Sequence, residues 1–306
     1  MDTALKLRLL KEKNLLKNQT HIEVMRLLTD SKLIEKLTSI EHKNLLSYIW
    51  NLIGIAEIPN SIYLEHTKNL MLFINKNLST DKGFSYTGSI NDIVPCYNAM
   101  IFEAYCRLGL HQSTEAQNAL YWIKNYQVFD RVTKTTWPYS GICKHGGCMK
   151  NVPCYIGIGK TIRALITYRE FSPVPDKEVN HLIHIGLEYM LQHNMFQRLS
   201  NRQPISAHIT DIMFPQSYML SFTDLVYIVS KTNSFNRPEV SPLLEVLRKK
   251  QTSSGGWKTD YNYSYNGYTP FDNRRKDSEW ITALFSSWLG SIIFMTASKS
   301  TISVDK

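Results

Sequence analysis

Three cysteines and a histidine fall within twelve residues: Cys143, His145, Cys148 and Cys154, in GICKHGGCMKNVPC. A further cysteine, Cys96, sits in Val94-Pro95-Cys96-Tyr97, and the same four-residue word recurs at 152–155. Thiolate and imidazole are soft ligands, and zinc suits them, held by four cysteines or by three cysteines and His145. An iron–sulfur cluster on four cysteines is compatible with the same set. A reactive or redox thiol set and plain packing are the other readings, since free cysteine is often buried. The Gly146-Gly147 pair lets the backbone turn tightly between ligands. The spacings, C-x4-C and C-x5-C, differ from the C-x2-C of common zinc knuckles. Cys106, deep in a helical pattern, reads as core.

Three other groups could do acid–base chemistry. Asp224 lies in MLSFTDLVYIV, an otherwise apolar helical run. A carboxylate there either pairs with a cation or has a raised pKa, or it marks the polar stripe of an amphipathic helix. Asp211 and His208 lie together in AHITDIMFP and could act as an acid–base pair or add a metal ligand. The string GIGKT at 157–161 looks like part of a phosphate loop, but the first glycine of that motif is replaced by Cys154 and no strand precedes it. Gly157 and Gly159 are expected to allow close helix approach instead, with Lys160 either solvated or facing the cavity.

Helices must position these groups. Helical periodicity is common and strand signals are weak. It predicts helices over 42–56, 63–77, 95–109, 115–126, 153–170, 178–193, 216–232, 239–250 and 278–296, with two or three short ones in the first forty residues. Pro95, Pro153 and Pro215 are expected to open three of them, because proline suits the first helical turn. Two helices per unit and a period of about 60 residues mark a helical repeat array. In two units the second helix ends in a Gly-aromatic turn, Gly83-Phe84 and Gly256-Trp257.

Gln251-Thr252-Ser253-Ser254-Gly255-Gly256-Trp257, set between an outer and an inner helix, resembles the Q…GGW repeat of the terpene cyclase and protein prenyltransferase superfamily. CYIGIGKTIRAL (154–165), FPQSYMLSFTDLVYIVSK (214–231) and SEWITALFSSWL (278–289) are similar to inner helices of bacterial prenyltransferase-like or squalene-cyclase-like proteins. The resemblance covers roughly residues 40–295. It implies an all-α fold, an α/α toroid over 41–306 preceded by an N-terminal helical cap over 1–40. In a toroid the inner helices run the same way, so Cys96 and Cys154 would meet at neighbouring helix N-termini at the mouth. The helix dipoles would then be expected to lower their thiol pKa values. The acidic D-x-D-D and D-D-x-x-D strings of the cyclases are absent, so the fold is carried over and their mechanism is not.

The chain has 306 residues, 43% hydrophobic and 20% charged, a composition that forms a core. The formal charge of +9 is spread along the sequence without a nucleic-acid motif, so nucleic acid is not the expected partner. No apolar run is long enough to span a membrane, and the charged start is unlike a signal peptide, so the expected compartment is the cytoplasm. The aromatic-rich stretch 257–280 reads as a lid or binding loop, or as a loop packed on itself. The functional expectation is a toroid with a cysteine-rich zinc site acting on a hydrophobic or modified-peptide substrate. If it is an enzyme, it is a transferase, lyase or cyclase. The alternatives are a non-catalytic toroid with structural zinc that binds a ligand or partner protein, and an iron–sulfur or redox protein.

Overall fold

A computed structural model describes residues 1–130, 133–139 and 154–290. Cys143, His145 and Cys148 lie outside the described residues. The chain is mostly helical, and among the described residues the only ladder is a two-residue hairpin, Ser79–Thr80 with Gly83–Phe84. The helices are α1 (Thr3–Glu12), α2 (His21–Thr29), α3 (Lys32–Thr38), α4 (Leu45–Ala56), α5 (Glu65–Asn77), α6 (Pro95–Arg107), α7 (Thr114–Tyr126), α8 (Tyr155–Phe171), α9 (Lys177–Gln192), α10 (Phe222–Lys231), α11 (Ser241–Lys250) and α12 (Glu279–Leu289). Starts follow local chemistry. Thr20 and Glu23 form a reciprocal cap on α2, Ser113 caps α7, and Asp176 caps α9.

Helices α4, α6, α8, α10 and α12 contact one another in that order, and α1 packs on α12. Helices α5, α7 and α9 back onto α4, α6 and α8. The two Gly-aromatic turns do the same job in their units. Phe84 is fully buried, accepts Tyr105 of α6 as a ring neighbour at 4.7 Å, and donates its N–H to Asn98 Oδ1 at 2.8 Å. Trp257 is buried against Phe285 of α12 and donates its indole N–H to Leu247 O at 3.1 Å. Gln251 closes that turn by donating to Gly255 O. Each turn therefore anchors the chain after one helix, α5 or α11, against a later one, α6 or α12.

Two sequence expectations need correction. Pro215 does not open a helix. The Phe214–Pro215 peptide is cis, and α10 starts seven residues later, where Ser221 and Asp224 cap each other. The repeated Val-Pro-Cys-Tyr word also meets its helices in two different ways. Pro95 is the first residue of α6, whereas α8 begins at Tyr155 with Cys154 as its flanking cap.

Gly157 is a contact point between α8 and α6, as expected, whereas Gly159 meets Leu220 in the segment before α10. A Cβ on Gly157 would lie 2.8 Å from Pro95 Cβ, and one on Gly159 would lie 2.6 Å from the Leu220 methyls. Alanine is the better helix former by about 1 kcal/mol. Overpacking against the rigid Pro95 ring costs more, about 1–3 kcal/mol. Gly157→Ala is therefore expected to lower stability in a urea melt; a higher midpoint would show that α6 and α8 are not packed this closely.

Candidate functional site

The interior where the inner helices meet holds ions. Arg163 of α8 is its hub and is buried. Its Nε reaches Glu103 Oε1 of α6 at 3.0 Å, its Nη1 Asp224 Oδ1 of α10 at 2.6 Å, and its Nη2 Glu57 Oε1 at the end of α4 at 2.8 Å. Around it, Arg107 pairs with Glu103 at 2.6 Å and Arg8 of α1 with Glu57 at 2.7 Å and Glu12 at 2.9 Å. Lys160 pairs with Asp224 at 2.8 Å. Gln216 accepts from Lys160 and donates to Glu103 Oε2 at 3.0 Å. With Lys231, which pairs with Glu12 and Glu170, five cations (Arg8, Arg107, Lys160, Arg163, Lys231) thus face five carboxylates (Glu12, Glu57, Glu103, Glu170, Asp224). The Tyr227 ring lies 5.0 Å from the Arg163 guanidinium, and its hydroxyl meets Thr167 at 3.0 Å.

Burial alone would raise these carboxyls. For Glu103 the attraction of Arg163 and Arg107 wins and holds it at about 2. Glu12 is held at about 2 by Arg8 and Lys231 against the same penalty. Burial likewise opposes ionisation of Asp224, but Lys160 and Arg163 pull it below the ordinary aspartate value. Lys160 goes below the ordinary lysine value: burial disfavours its charge, Asp224 opposes that, and Arg163 reinforces it. The asymmetry is physical, since Asp224 has two cations while Lys160 shares its one carboxylate. Asp224 is thus the cation-paired carboxylate that the sequence allowed. Lys160 is fully buried and not in solvent.

Helix geometry places these side chains. Glu103 and Arg107 are one turn apart on α6, and Lys160 and Arg163 are one turn apart on α8. Asp224 is fixed at the third position of α10 by its reciprocal cap, accepting from Ser221 N at 2.8 Å. Glu103, Arg107 and Arg163 were missed in the sequence. Their signal was the one that singled out Asp224, a charge inside an apolar helical run.

The cysteine pair lies at the first turns of α6 and α8. Cys96 is buried, Cys154 half-buried, and the two interact electrostatically. Burial pushes the Cys96 thiol up, and Cys154 adds to it, to about 12. That corrects the expectation of a lowered thiol pKa: desolvation outweighs the helix end and the nearby Lys160. Cys106 is fully buried core, as expected. Among the described residues no three His, Cys, Asp or Glu side chains converge as metal ligands. His208 Nδ1 and Asp211 Oδ2 form a pair at 2.8 Å, partly exposed, with the His208 ring on Tyr261 at 4.1 Å.

Beside Cys96 opens a pocket of about 260 Å³. Tyr86, Tyr97, Tyr218 and Tyr263 line it, with Leu46, Val94 and Cys96. Tyr263 comes from the aromatic loop, which is tied down at several points. Asn266 bonds Lys43 N and Glu41 O, and the Tyr268 hydroxyl donates to Pro215 O. Gly267 has φ +89°, and a Cβ there would lie 2.1 Å from Ser47 O, so only glycine fits. No family model, curated protein or solved structure matches the chain.

Two outcomes test the ion cluster. Removing one partner of a buried ionic set costs about 3–5 kcal/mol, because it strands the others. Arg163→Met should lose at least that in chemical denaturation. Arg237→Met, which removes a half-exposed guanidinium paired with Glu188 and Glu239, should leave the denaturation midpoint nearly unchanged. Equal losses would mean that the cluster is not what holds the helices. For acid, the folded values of Glu103 and Glu12 lie below their ordinary 4.5. Their stabilisation is complete above about 4.5 and is lost as pH falls toward about 2. Thermal melts should therefore fall steeply across that window; a flat profile there would contradict the pairing.

Proposed function

We propose that the chain is an α/α toroid of the terpene-cyclase and protein-prenyltransferase kind, and that it binds a hydrophobic small molecule or a modified peptide group at its mouth. The observation that carries this reading is where the open space lies. The interior between the inner helices is occupied by paired ions, while the tyrosine-lined pocket opens at the first turns of α4 and α6. The order of contacts from α4 to α12, with α1 against α12 and its Arg8 on Glu57, supports a closed ring. The described lining holds one nucleophilic group, Cys96, kept as a neutral thiol. Binding is therefore the function this geometry favours over acid–base catalysis.

A second reading is favoured by the meeting of Cys96 and Cys154. We propose that they hold a zinc ion together with Cys143 and Cys148, with His145 in reserve. The buried Cys96 thiol, next to Cys154, is a site where a cation would be welcome, and zinc binding to cysteine displaces the thiol protons. Zinc here would tie α6 to α8.

The pocket is tested with farnesol as an apolar probe. Trp50 lies 5.7 Å from the Tyr97 ring and 5.2 Å from Tyr263, so its fluorescence reports on the site. Wild type should bind farnesol, and Leu46→Trp should abolish binding without changing the melting temperature; no binding by wild type overturns the reading. For the metal, Cys154→Ser should lose zinc and several degrees of melting temperature while Cys106→Ser keeps its zinc. Zinc-free wild type after anaerobic purification would sink that reading.

A further inference from the structure

We propose that the tyrosine pocket is a receptor for a methylated ammonium head, a trimethylammonium group carried by a small molecule or by a lysine side chain. The inference rests on the pocket being a ligand site, as proposed above, and specifies its occupant.

The wall is a connected set of aromatic rings. Tyr86 lies on Tyr97 with centroids 5.3 Å apart and planes at 27°. Tyr97 tilts against Trp50 at 52°, and Trp50 meets Tyr263 at 67°. Trp50 is fully buried and outside the lining, so the aromatic wall itself is the four tyrosines. Tyr218 stands at the rim, 42% exposed. Ring faces carry negative quadrupole potential and attract a cation placed over them.

The rest of the lining selects the kind of cation. Its described residues include no carboxylate, lysine or arginine. A primary ammonium or a guanidinium would meet no carboxylate there, only phenol oxygens, and would lose more hydration than a methylated head. A trimethylammonium group has no N–H, spreads its charge over methyl surface, and fits an apolar aromatic wall. Leu46, Val94 and the Cys96 sulfur complete a surface that methyl groups can fill. The formal charge of +9 opposes any cation, but it is dispersed along the chain. Screening at physiological salt confines that repulsion to about 8 Å. Lys160, the buried cation that Cys96 feels, is committed to Asp224.

The test compares a cation with its neutral twin by calorimetric titration of the full chain. Choline and 3,3-dimethylbutan-1-ol have the same shape and differ in charge. Choline should bind about tenfold more tightly, the size of a desolvated cation–π contact. Tyr263→Leu keeps an apolar wall and should remove most of that preference, with the neutral alcohol changed less than about threefold. A peptide bearing trimethyllysine forms a third arm: tighter binding than choline assigns the head to a protein side chain, weaker binding to a small molecule. If both twins bind equally, or the alcohol binds better, the ammonium inference falls and the pocket reading stands. If neither twin nor farnesol binds wild type, the pocket reading falls with it.

Discussion

Arg163 is placed where three carboxylates from three separate elements converge, and every inner helix up to α10 has a stake in it. Glu57 ends α4, Glu103 is in α6, and Asp224 begins α10. A guanidinium can satisfy this arrangement because its donors lie in one fixed plane and point in several directions. A lysine in its place would offer a point charge and leave carboxylate oxygens unpaired. Arg8 and Arg107 extend the set to α1 and back along α6. The cluster is a weak source of net stability, since desolvating the ions offsets much of their attraction. Its force lies in the penalty for any arrangement that separates them, which makes it a specification of helix order and register.

The same cluster decides where a ligand could be received. The space between α4, α6, α8 and α10 holds paired charge, with Gln216 and Tyr227 against it. An apolar guest would have to break hydrogen bonds between buried ions to enter. The apolar surface is found instead at the helix starts, where Tyr97 and Cys96 of α6, Leu46 of α4 and Tyr263 of the aromatic loop face one opening. The loop is held to the start of α4 by Asn266 and by the backbone contact at Gly267. It builds part of the pocket wall, so the loop both packs on itself and lines a site.

The cysteine pair links these two regions. Cys96 borders the pocket and feels Lys160, whose ammonium is held by Asp224 of the ion cluster. Helix dipoles favour a thiolate at both positions, but burial is the larger effect for Cys96. A helix end lowers a thiol pKa only where water or a cation can share the charge.

Short-range signals in the sequence located most of the helices. Caps, prolines and apolar periodicity act within one or two turns, so α6, α7 and α9 stand close to where those signals put them. The Gly-aromatic turns were legible for the same reason, as was the core position of Cys106. Asp224 was visible as a carboxylate out of place in an apolar run. Its partners were not, because Arg163 is 61 residues from Asp224 and 106 from Glu57, and no local pattern reaches that far. Pro215 shows the limit from the other side. A local rule favoured a helix start there, but the start lies at Ser221, where Asp224 can both cap α10 and meet Lys160 and Arg163. The sequence by itself determined which segments are helical and which residues are odd within them. The tertiary structure alone decided which charges pair, which face of each helix is inside, and where four tyrosines from distant segments meet, because those outcomes depend on packing between residues far apart in the chain.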